Sequence, residues 1–191
     1  MKSMRNRISV VPQVRQEFLT EQCWTARSLA GSVAEIGVYK GGTAKILAES
    51  LPLKSIHLFD TFAGMPETNP EFDIHEPGDF KDTSLESVQT LLSHCDNVEF
   101  WPGKFPDSTV GLSDSKFCLV HVDVDIYEST KAAIEFFWPK LVEGGIMVFD
   151  DYNAPRCPGT NKAVDEYFAG VCAVEVSGPN KRYGTRCVKV E

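Results

Sequence analysis

The chain has 191 residues, 42% of them hydrophobic and 24% charged, which is the balance of one globular domain and excludes a globally disordered chain. Lys plus Arg number 19 and Asp plus Glu 27, and the resulting charge of −8 excludes a protein that holds nucleic acid mainly through its phosphates. The six cysteines (Cys23, Cys95, Cys118, Cys157, Cys172 and Cys187) make no CxxC pair, and the early apolar run at 8–11 is too short for a signal core or a membrane span, so a cytoplasmic protein with reduced thiols is expected.

In chain order the pattern alternates. Residues 12–30 read as a helix within an N-terminal segment, 1–30. Residues 32–38 (SVAEIGV) read as a strand that runs into a glycine turn, with a helix over 43–50. A second strand is expected at 55–60 (SIHLFD), then a polar, proline-containing stretch to residue 82, a helix at 84–93 and a strand at 97–101. Residues 117–125 (FCLVHVDVD) read as a buried strand ending in acids, followed by a helix at 129–137, a turn at 139–145 and a strand at 146–150. A helix at 161–169 precedes two closing strands, near 173–176 and 184–190, joined by a turn at 178–181 too short for a parallel crossover. Alternating strands and helices predict a single α/β domain with a mostly parallel sheet. Seven strands ending in an antiparallel edge hairpin, with helices on both faces, resemble the Rossmann-like class I methyltransferase architecture more than a dehydrogenase.

Ligands of such sheets sit beyond the carboxyl ends of the strands, where strand order reverses. The first strand ends in Glu35-Ile36-Gly37-Val38-Tyr39-Lys40-Gly41-Gly42-Thr43, a turn that lets backbone approach a ligand or, alternatively, simply connects a strand to a helix. It is not the GxGxxG of dinucleotide sites, and Glu35 would repel a pyrophosphate. An ammonium and a sulfonium would be welcome beside that acid, and Asp60 closes the next strand where ribose hydroxyls are usually held. The combination favours S-adenosylmethionine.

His121, Asp123 and Asp125 alternate along the fourth strand, and Asp150-Asp151 close the fifth. Carboxylates brought to one rim repel each other unless a hard cation such as Mg2+ joins them. Asp123, Asp150 and Asp151 are the expected metal ligands. Asp125 is open between a share in that site and capping the next helix, and His121 reads as a core histidine.

The runs EIGVYKGGTA, HLFDTFAGMPE, GDFKDTSLESV, VDVDIYESTKAAIEFFWPKL, GGIMVFDDY and CPGTNKAVDEYF resemble the macrocin O-methyltransferase family, from about Val33 to Phe168. The resemblance implies an adenosylmethionine donor site at Glu35, Gly37, Gly41, Gly42, Thr43, Asp60, Thr61 and Phe62, with the turn at Gly103 contributing. It also implies magnesium on Asp123, Asp150 and Asp151, and a catalytic aspartate at Asp123 with Asp125 as the alternate. The acceptor is expected to be a small-molecule hydroxyl, on a sugar or natural product, with no nucleic-acid or membrane partner. A homodimer follows from the family and from the frequency of two-fold assemblies. The family's longer members carry an extended N-terminal region, whereas about thirty residues precede the first strand here. Residues 64–82, with Met65, Phe72, His75 and Phe80, are either a substrate lid or an ordinary surface loop. The alternatives are a metal-independent O- or N-methyltransferase, a non-catalytic adenosylmethionine-binding protein and, disfavoured by Glu35, a nicotinamide oxidoreductase.

Overall fold

A computed structural model describes residues 9–112, 115–169 and 185–188. Its elements in chain order are α1 (Gln13–Ala26), β1 (Ser32–Ile36), α2 (Gly42–Ser50), β2 (Ile56–Asp60), α3 (Leu85–Leu91), β3 (Val98–Pro102), β4 (Phe117–Val122), α4 (Tyr127–Phe137), β5 (Leu141–Phe149), α5 (Pro158–Phe168) and β6 (Thr185–Val188). The described strands form one sheet in the order β3-β2-β1-β4-β5-β6. Every pairing is parallel except β5 with β6. The order reverses between β1 and β4, which places the switch point at the carboxyl end of β1. The expected α/β class and the antiparallel element beside β5 are present. The strand expected near 173–176, its turn at 178–181 and therefore the hairpin lie outside the described residues.

Side chains alternate across the strands and give the sheet two apolar faces. On one, Val33, Ile56, Leu58, Leu119 and Val148 pack under α1, α2 and α3 through Leu19, Cys23, Leu47 and Val88. On the other, Ile36, Phe59, Val120, Val122 and Phe149 meet α4 and α5 through Ile134, Phe137 and Val164. The helix–sheet–helix layering leaves the carboxyl rim of the strands as the place where loops meet.

Several elements are shorter than the sequence pattern suggests. α1 stops at Ala26 rather than residue 30, and β1 stops at Ile36 because Gly37 turns into a positive φ of 86°. β4 ends at Val122, not at residue 125, and Asp125 sits at φ 62°. Period-two alternation therefore does not carry through Asp123 and Asp125, which lie on a loop. β5 begins at Leu141, but its pairing with β4 skips from Leu141 to Ile146, so the expected turn survives as an interruption of the ladder around Gly144 and Gly145. α4 begins two residues early, at Tyr127.

Candidate functional site

At the carboxyl rim of β1, β2, β4 and β5 lies a cavity of about 600 Å³, within the usual range for small-molecule sites. Gly37, Asp60, Thr61, Gly103, Asp123, Asp125, Asp150 and Asp151, all expected from the sequence, line it together. Two chemically different ends result.

The first end is built on Asp60. Its Oδ2 accepts the Val38 and Tyr39 backbone N–H groups at 2.7 and 2.8 Å, and its Oδ1 accepts Phe62 N–H at 2.7 Å. The carboxylate thus pins the turn after β1 to the turn after β2 and keeps a further lone pair for a ligand hydroxyl. Gly103 N–H donates to the Asp60 carbonyl at 2.9 Å and brings the turn after β3 to the same place. Gly37 is required rather than convenient: a Cβ there would stand 1.8 Å from the Asp123 carbonyl oxygen.

Other expected donor residues are nearby but do not line the cavity. Glu35 is fully buried beneath the α1–α2 face, where its Oε1 lies 2.8 Å from His121 Nδ1. Gly41, at φ 81°, makes room for Val88 and Leu91 of α3, and Gly42 opens α2. Thr43 is buried, and Phe62 packs near Phe100 with ring centres 6.4 Å apart.

The second end is acidic. Asp123, Asp150 and Asp151 each offer a carboxylate oxygen, and these oxygens lie within 4.8 Å of one another. Withdrawal from solvent and the Asp150, Asp151 and Asp125 charges push Asp123 well above the usual carboxylate range. Burial followed by Asp151 does the same to Asp125, and burial followed by Asp150 raises Asp151. His121 lies behind this group. Burial opposes its charge, but Asp150 and Glu35 outweigh that and hold it up at about 9.

Arg15, on α1, enters the acidic end and carried no motif in the sequence. Its Nη1 donates to the Asp150 carbonyl at 2.7 Å and to Asp150 Oδ2, and lies 3.4 Å from Asp151 Oδ1. The contact spans 135 residues of chain, so no local pattern announces it. Asp151 Oδ2 nevertheless stays buried without a partner, which leaves a lone pair for a cation.

The segment 64–82 is tied down over the cavity, to which Gly64, Met65, His75 and Phe80 contribute. Met65 N–H donates to the Asp79 carbonyl at 2.7 Å and Gly78 N–H to the Met65 carbonyl at 2.9 Å. Asp82 holds Tyr39 Oη and Lys40 Nζ at 2.6 Å each. Asp73 Oδ1 accepts Tyr127 N–H at 2.8 Å, so this segment caps α4. Asp125, the candidate for that capping, instead accepts the Cys157 thiol at 3.3 Å.

Residues 11–171 match the model of the macrocin-O-methyltransferase family. Over 158 residues the chain is 30% identical to an 8-demethyl-8-(2,3-dimethoxy-alpha-L-rhamnosyl)-tetracenomycin-C 4'-O-methyltransferase from Streptomyces olivaceus, covering 74% of this chain and 59% of that protein. It is 29% identical over 155 residues to a mycinamicin III 3''-O-methyltransferase from Micromonospora griseorubida, covering 72% and 60%. The chain therefore spans about three fifths of the length of these curated relatives. Among solved structures, the O-methyltransferase NovP superposes with a TM-score of 0.83 at 24% identity, over 97% of this chain and 84% of that one, a likeness of fold.

Proposed function

The chain belongs to the macrocin-O-methyltransferase family, and on that premise we propose that it transfers the methyl group of S-adenosylmethionine to a hydroxyl oxygen of a small molecule, with a divalent cation assisting. The observation that carries the reading is that the Asp60–Gly37 end and four aspartates share one cavity. Both curated relatives are named for methylation of an oxygen, and a rhamnosyl group appears in the name of one. A sugar-bearing natural product is the acceptor class this supports.

The donor end suits adenosylmethionine. Asp60 retains a lone pair for a ribose hydroxyl, and the missing side chain at Gly37 lets the first turn close against the loop after β4, which sets the cavity wall beside Asp60. The aspartates lie across the cavity, where positive charge on the donor is favourable. Glu35 acts from behind, through His121, by fixing the charge around Asp150.

The acidic end suits a hard cation. Asp123, Asp150 and Asp151 would hold it, because three close carboxylates, one of them with an unpartnered buried oxygen, are a donor set that magnesium relieves. When bound, the donor would supply an electrophilic methyl group and the cation would make the acceptor hydroxyl more acidic. Asp123, with Asp125 as the alternate, takes the proton of the attacking hydroxyl, since both line the cavity at its acidic end. The segment 64–82 lines one side of the cavity and, with an acceptor bound, would keep water from the reacting groups. Holding the acceptor oxygen in line with the methyl group accounts for much of the acceleration.

The test is methyl transfer from labelled adenosylmethionine to sugar and other hydroxyl acceptors, with and without a chelator, for the wild type and for Asp123→Asn, Asp125→Asn and Asp150→Asn. Chelator-sensitive transfer that falls at least about 100-fold in Asp150→Asn is expected. Transfer that ignores both chelator and Asp150→Asn would remove the cation from the account. One observation favours that second reading: Arg15 already places a fixed positive charge on Asp150 and Asp151. In a metal-independent enzyme Arg15 would do the neutralising itself.

A further inference from the structure

Beside the three-aspartate set, a second group of ligand-type side chains converges from three parts of the chain. His75 comes from the segment over the cavity, Asp125 from the loop after β4, and Cys157 from the N-terminal end of α5. One ligand atom from each lies within 4.8 Å of the other two. Cys157 Sγ is 3.3 Å from Asp125 Oδ1, and His75 Nε2 is 3.8 Å from that same oxygen. Around a tetrahedral ion with bonds of roughly 2.0–2.3 Å, ligand atoms stand about 3.3–3.6 Å apart, so these pairs need to move by only a few tenths of an ångström.

A separate contact points the same way. His75 Nδ1 lies 3.0 Å from Asp79 Oδ2. With Nδ1 donating to that carboxylate, Nε2 presents its lone pair toward Asp125 and Cys157. A carboxylate behind the far nitrogen is the usual support of a metal-ligating histidine. Nitrogen, oxygen and sulfur together suit zinc far better than magnesium, which takes oxygen alone. All three side chains line the cavity, so a fourth coordination position would open into it.

We propose that His75, Asp125 and Cys157 form a second divalent-cation site, for an ion of zinc-like softness, whose open position faces the cavity. An ion there ties the segment 64–82 to the loops after β4 and β5, and engages Asp125 as a ligand. The functional consequence, inhibition of methyl transfer by zinc where magnesium supports it, rests on the function proposed above. The binding itself does not.

Cobalt(II) is the probe, because a thiolate ligand gives it a near-ultraviolet charge-transfer band that carboxylates do not. The full chain is saturated with Mg2+ and titrated with Co2+. One equivalent of sulfur-ligated cobalt is expected, displaced by Zn2+ and retained in Asp150→Asn. The band should vanish in Cys157→Ser, and cobalt affinity should fall about 10–100-fold in Asp79→Asn, whose carboxylate orients His75 without lying in the ligand set and whose amide oxygen can still accept the Glu76 N–H. No sulfur band, or one that survives Cys157→Ser at unchanged affinity, overturns the site. Should Cys157→Ser fail to fold, unchanged cobalt affinity in both His75→Gln and Asp79→Asn overturns it equally. Because the readout is spectroscopic, absence of methyl transfer leaves the outcome of this test unaffected.

Discussion

Replacing Gly37 by alanine perturbs the site at its hinge, and the cost follows from two separate features. At φ 86° an L-residue is disfavoured by about 1–2 kcal/mol. The new Cβ would also stand 1.8 Å from the Asp123 carbonyl oxygen, where ordinary contact begins at 3.4 Å. The turn after β1 and the loop after β4 must therefore separate by 3.4 − 1.8 = 1.6 Å, an overpacking worth about 1–3 kcal/mol. Together the two effects come to about 2–5 kcal/mol, less than or comparable to the whole stability of a small domain. The variant is expected to fold but with its donor turn displaced from its aspartates, and a misplacement of about 1 Å costs on the order of 100-fold in rate. Gly111→Ala supplies the control, because Gly111 has a similar φ of 97° and nothing within 4 Å of its would-be Cβ. Urea unfolding and titration with adenosylhomocysteine measure both variants. Gly111→Ala should lose only about 1–2 kcal/mol and keep its affinity. A Gly37→Ala protein that loses no more stability or affinity than Gly111→Ala would refute the reasoning.

Arg15→Met leaves two largely buried aspartates without their cation and should destabilise the metal-free protein by about 3 kcal/mol. Millimolar magnesium should restore most of that loss and bind more tightly than to the wild type; thermal unfolding unaffected by magnesium in both proteins would count against it. Asp60→Asn exchanges a carboxylate for an amide where three backbone N–H groups converge, and calorimetry should show adenosylhomocysteine affinity at least about tenfold lower. His57 gives a pH dependence remote from the cavity. Burial lowers its pKa below 6.5, against a smaller opposing pull from Glu99, and Trp101 Nε1 donates to its Nδ1 at 3.1 Å, which requires the neutral ring. The unfolded chain takes up this proton near pH 6.5 and the folded chain only at lower pH, so this contribution is present above that range and is lost as the pH falls through it. His57→Phe should flatten that slope in denaturant titrations, and an unchanged slope would show that other groups carry it.

Much of the architecture was legible because it rests on local chemistry. Asp60 ends its strand in the sequence as it does in the fold, and the SIHLFD and GGIMVFDD patterns place their acids at one rim. What the pattern overstated was regularity: Asp123 and Asp125 follow alternating valines, yet β4 ends at Val122 and Asp125 takes a left-handed backbone. The sequence signal for a strand is hydrophobic alternation, and alternation alone does not register where hydrogen bonding stops. Arg15 was invisible for the opposite reason, since its partners are remote in the chain and it sits in no local motif. Glu35 illustrates a third limit. Its position before the first glycine suggested contact with a ligand, whereas its pairing with His121 depends on the parallel register of β1 with β4. Asp73 capping α4 from the segment over the cavity was equally beyond any local reading.

The most direct measurement of the central claim is calorimetric titration of the protein with S-adenosylhomocysteine, in magnesium and in chelator. The account predicts one molecule bound per chain, tighter with magnesium, and a weakened magnesium effect in Asp150→Asn. Absence of binding under both conditions would contradict the assignment of the cavity to an adenosylmethionine donor.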